Sequence, residues 1–138
     1  MKKDMFRDGP SSPNLHSTKK LLNQLFRIQI FGLYKLIEQF GGPQLAERLD
    51  IVVQEAAERN ELGLIIYQGK VTNLQLNKPW ATYKRVMQEA VKFSVSVAGR
   101  QLVKERVHIV TTATENKTKT SHFEVAFRLG LHRMNLSS

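Results

Sequence analysis

The period of the hydrophobic residues changes part-way along this chain, and that change constrains the fold more than any single motif. Up to Asn60 the apolar residues recur at helical spacing, and from Phe93 onward they largely alternate. Helix side chains return to one face every 3.6 residues and strand side chains every second residue. The pattern therefore predicts helices in the first half and half-buried strands in the second.

Ser17 is a suitable N-cap for a first helix that places Leu22, Leu25, Phe26, Leu33, Leu36, Ile37 and Phe40 at helical intervals. Phe26-Arg27-Ile28-Gln29-Ile30 also alternates as a strand would, so both readings stay open there. Apolar residues lie on most sides of this helix, which requires deep burial or a covering partner. Gly41-Gly42-Pro43 ends it and starts another, because Gly is favoured just past a helix end and Pro just inside a start. The second helix, to Asn60, carries Leu45, Leu49, Val52, Val53 and Ala56 on one face.

Leu64 to Leu76 reads as strand, with Gln68-Gly69 as a bulge or turn. Lys78-Pro79-Trp80 opens a third helix with a stripe of Trp80, Tyr83, Met87, Ala90 and Val91. Three further strands follow. In the first, Phe93, Val95 and Val97 face the core and Ser94, Ser96 and Ala98 face water, before a turn at Gly99. In the second, Glu105, Val107, Ile109 and Thr111 oppose Lys104, Arg106, His108 and Val110. In the third, Phe123, Val125, Phe127, Leu129 and Leu131 alternate with His122, Glu124, Ala126, Arg128 and Gly130, after a polar hairpin loop from Thr114 to Thr120.

The expectation is a flexible basic arm over residues 1–16, rich in turn formers from Gly9 to Asn14, and one α+β domain over 17–138. That domain is an N-terminal helical pair followed by a β-α-β-β-β, mostly antiparallel sheet. A length of 138 residues with 41% hydrophobic content suits one core and not two.

The absence of cysteine excludes disulfides, thiolate metal ligands and thiol catalysis. His16, His108, His122 and His132 show no paired metal-ligand spacing. With no phosphate-cradling glycine loop, nucleophile elbow or spaced carboxylate pair, the chain reads as a non-enzyme without cofactor or metal. No apolar run suits a signal peptide or a membrane span, so the expected setting is intracellular.

Charge is the informative property. The 21 Lys and Arg against 12 Asp and Glu give +9, which points to an anionic partner. The charge is bipolar: residues 1–37 carry +5, residues 38–61 carry −4 and residues 62–138 carry +8. Each segment also reads as an ordinary solvated face. The alternative is self-association of acidic with basic surfaces, together with attachment to a membrane or nucleic acid. The candidate anion-binding residues are Lys2, Lys3, Arg7, Lys19 and Lys20 near the N-terminus, and Lys84, Arg85, Arg100, Lys104 and Arg106 further on.

The run Gly69-Lys70-Val71, then Lys78-Pro79-Trp80-Ala81-Thr82-Tyr83 opening a helix, then Val97-Ala98-Gly99-Arg100 entering a strand, resembles rhabdovirus matrix proteins. His122-Phe123-Glu124 through His132-Arg133-Met134 continues the resemblance, which spans residues 64–134. It implies a non-enzymatic structural protein that binds anionic membrane, condenses ribonucleoprotein and self-associates, with Lys2, Lys3 and Arg7 taking the membrane role. Two other readings stand beside it: a small basic RNA- or DNA-binding protein, and an adaptor whose apolar first helix docks into a partner.

Overall fold

The computed structural model describes residues 15–118, with side chains described over 19–113. Residues 1–14 of the arm expected over 1–16 and the strand expected over 122–131 lie outside the described residues, while Leu15 and His16, the last two of that arm, are helical. The order is α1 (Leu15–Gly41), α2 (Pro43–Arg59), β1 (Ile65–Tyr67), β2 (Lys70–Thr72), α3 (Trp80–Ala98) and α4 (Arg100–Thr118).

The N-terminal helical pair is present, but the α+β sheet domain is not. Among the described residues the only sheet is a two-stranded antiparallel hairpin, and both alternating runs within 93–111 are helical. The reason lies in which residues face inward. Thr82, Tyr83, Val86, Met87, Ala90, Val91, Ser94 and Ala98 are the buried residues of α3, a 3/4-spaced stripe that continues unbroken through the run that alternates. Ser94 and Ala98, expected on a wet face, are thus core residues. The Ser94 hydroxyl donates to the Ala90 carbonyl at 2.8 Å, which satisfies it while buried. On α4, Val103 and Val107 are inward at i, i+4, whereas Ile109 is 59% exposed. Short apolar runs carry a β preference that packing overrides.

Gly42 and Gly99 make the two inter-helix corners in the same way. Gly42 has φ 92° and ψ 169°, and Gly99 has φ 90° and ψ 157°, a region open almost only to glycine. Each N–H closes the preceding helix, on Glu38 O and Val95 O respectively, at 2.9 Å. Each carbonyl then accepts the first bond of the next helix, from Ala46 and Val103.

α1 packs against α2, α3, α4 and β2. Leu22, Leu25, Phe26, Ile30, Leu33, Tyr34, Leu36 and Ile37 are all buried, which is how an all-round apolar helix is accommodated. Phe26 meets Tyr83 of α3 edge-to-face at 6.1 Å. The Tyr83 hydroxyl donates to Gln75 O at 2.6 Å and accepts the Lys78 N–H at 3.3 Å, tying the loop before α3 to the core.

The hairpin turns through Gln68 (φ 51°) and Gly69 (φ 80°), two left-handed residues as a type I′ turn requires. Ile66 and Val71 point into the core, and Ile65, Tyr67, Lys70 and Thr72 point out. Helix side chains take up outward-facing backbone groups of both strands. From α2, the Gln54 amide donates to Leu64 O at 3.2 Å and accepts the Ile66 N–H at 3.3 Å. From α1, Arg27 Nε donates to Val71 O at 3.0 Å.

A Cβ at Gly42 or Gly99 would meet no atom within 4 Å, so alanine there carries only the backbone penalty. Gly42→Ala and Gly99→Ala should each lose about 1–3 kcal/mol in urea unfolding. At Gly69 a Cβ would sit 2.6 Å from Tyr34 Cβ and Cγ, so Gly69→Ala should lose more than either. Equal losses at all three positions would contradict this account.

Candidate functional site

Helical geometry decides which basic residues act together. On α3, Lys84, Arg85, Gln88 and Lys92 are exposed, and 100° per residue places them within a single arc with Ala81 and Ser96. The opposite face is the buried stripe that anchors α3 to α1 and α2. The result is a ridge of cations and an amide, bordered by Trp80 and Val95, both half-buried against the core. Lys84 and Lys92 make no ion pair among the described residues. Arg85 Nε donates to Asn60 Oδ1 at 2.9 Å, and the Asn60 amide in turn donates to Ala56 O at 2.8 Å. That chain of bonds fixes Arg85 against the end of α2.

The other expected cations do not join this ridge. Arg100 and Lys104 are exposed together on α4, one turn apart. Lys84 lies on α3, whereas Arg100 opens α4 beyond the Gly99 corner. Arg106 is committed to the bundle: its guanidinium donates to Gly32 O at 3.2 Å and to Gln39 Oε1 at 3.0 Å, fastening α4 to α1. In the first turns of α1, Lys19 is half-buried and Lys20 exposed. Lys2, Lys3 and Arg7 lie outside the described residues. His108 is exposed on α4, and no group of three or more His, Cys, Asp or Glu suited to a metal ion occurs among the described residues.

Lys92 and Gln88 are the members that sequence reasoning missed. Their signal was the 84, 88, 92 spacing, which continues only if α3 runs through Phe93; ending the helix at Val91 put Lys92 in a connection.

α2 packs beside α3 and bears the opposite charge, with Glu47, Glu55 and Glu58 exposed. Across the seam, Arg59 and Glu89 approach to 3.9 Å, both well exposed, a contact worth little in water. Asp50 is different. Its carboxylate accepts the N–H of Gln68 at 2.8 Å and of Gly69 at 2.9 Å, holding the hairpin tip onto α2. Burial raises its pKa, the two N–H donors pull it back down, and Glu47 raises it again, leaving it above the ordinary carboxylate value. Tyr34, against Gly69, is also raised, first by burial and then by the charge of Asp50.

Comparisons with protein-family models, with curated proteins and with solved structures found no match. No helix among the described residues is long and apolar enough to cross a membrane.

Because the folded state holds the Asp50 proton to higher pH than the unfolded chain, this group's contribution is fully present below the unfolded pKa. It is lost as pH rises through the folded pKa. The stability of wild type relative to Asp50→Asn should therefore decline as pH rises from about 4, read from urea midpoints across a pH series. A difference that grows with pH over that range would refute the assignment.

Proposed function

We propose that the chain is a non-enzymatic nucleic-acid-binding protein that engages phosphates through the solvent face of α3. The observation that carries this reading is the rigid ridge of Lys84, Arg85, Gln88 and Lys92, held by a helix whose other face is core. A regular helix with cations and an amide on one arc can lie along a nucleic-acid backbone, with the amide free to reach a base edge. The net charge of +9 adds long-range attraction and a steep dependence on salt. This reading places the protein inside the cell, where nucleic acid is the abundant polyanion.

A matrix-type protein on anionic membrane is the competing reading. It draws on the same cations and on Lys2, Lys3 and Arg7, but a face made for a bilayer interface usually combines them with Trp, Phe or Leu. Beside the α3 ridge only Trp80, one turn before Lys84, is of this kind, and it is half-buried against the core, which favours the polymer over the membrane. The resemblance to matrix proteins also took Val97-Ala98-Gly99-Arg100 as entering a strand, and these residues end α3 and begin α4.

Fluorescence anisotropy against labelled duplex and single-stranded RNA and DNA across a salt series tests the proposal. Binding should weaken linearly on a log-log plot, and Lys84→Gln/Lys92→Gln should lower the slope by about 2. Arg85 is left intact because it also fastens α2 to α3. The proposal fails if no nucleic acid binds at low salt; flotation with acidic but not neutral vesicles would then favour the membrane reading.

A further inference from the structure

α1 and α4 run antiparallel. Gln39 and Gly32 of α1 meet Arg106, a Cβ at Gly32 would also meet Val110, and Gln29 donates to Val107 O and bonds Thr111. Stepping 100° per residue from these contacts places Ile28 and Phe31 of α1 and Leu102 and Ile109 of α4 on the same flank of the seam, facing away from α3. Gly32, Arg106 and Val110 form the floor, closed tightly enough that a Cβ at Gly32 would lie 2.9 Å from Val110 Cγ2. Phe31 is 37% exposed, Leu102 39% and Ile109 59%, while Ile28 is half-buried. Four large apolar side chains along one groove are more than scattered surface hydrophobics.

We propose that residues 122–131 of the same chain cover this groove. The segment follows α4 at once: α4 ends at Thr118, and residues 119–138 continue beyond it. Phe123, Val125, Phe127, Leu129 and Leu131 give it five large apolar residues among polar ones, and these need a surface to leave water. The groove is within reach. Leu102 lies about 24 Å back along α4 from Thr118, and residues 119–131 extend about 20 Å as helix or about 43 Å as extended chain. A tethered occupant also acts at an effective concentration in the millimolar range, which a second copy meets only in concentrated solution. This inference does not depend on the α3 ridge or on what it binds.

The chain has no cysteine, so Arg128→Cys provides a single attachment point for a nitroxide on a polar position of the segment. In the full-length 15N-labelled protein, the nitroxide should suppress the amide signals of Phe31, Leu102 and Ile109. Suppression should persist when the labelled protein is diluted into excess unlabelled protein, and Ile109→Glu should restore the signals while leaving helical circular dichroism unchanged. Unaffected signals would overturn the proposal. So would suppression that disappears on dilution and appears when nitroxide-bearing 14N chains are mixed with unlabelled-cysteine-free 15N chains, which would place a second copy in the groove.

Discussion

The burial of α1 on nearly every side is the constraint around which the rest of the molecule is arranged. A helix with Leu25, Phe26, Ile30, Leu33 and Ile37 all fully buried needs neighbours on several flanks. α2, α3, α4 and the hairpin supply them. Truncating one of these side chains to alanine would remove contacts with more than one element at once, which is the situation in which large-to-small changes cost several kcal/mol. Polar groups on α1 serve the same packing: Arg27 reaches the hairpin, and Gln29 reaches α4.

The helical pair was legible in the sequence because Gly41-Gly42-Pro43 is unambiguous punctuation and α2 has one clean apolar face. The all-round apolar character of α1 correctly required burial. The sheet was misread for a specific reason. Alternation over Phe93 to Ala98 marks a strand only if the large residues are the inward ones, and here the small Ser94 and Ala98 point inward while Phe93, Val95 and Val97 are half-buried. Small residues let helices approach closely, and a sequence does not reveal that approach until the partner is known. Gly99 likewise suits a hairpin turn and a helix corner equally well, and its backbone conformation alone decides between them. For the candidate site, Lys84 and Arg85 were legible as a pair, but their union with Gln88 and Lys92 depended on the helix continuing.

The bipolar charge takes on a different meaning in three dimensions. The acidic helix and the basic ridge are neighbours in one bundle, α2 beside α3. Their direct contacts are few and exposed, so proximity does little for stability. Exposed Arg48 and Arg59 lie among the exposed Glu47, Glu55 and Glu58 on α2, so the charge of that helix is mixed at its surface.

The side chains laid against the hairpin also limit how this protein can be recognised. Two three-residue strands with open edges would invite a third strand from another molecule, as a binding mode or as the start of aggregation. Gln54 occupies that position along β1 and Arg27 along β2. Strand addition is thereby obstructed from both sides, leaving helix surfaces and the outer face of the hairpin for partners to read.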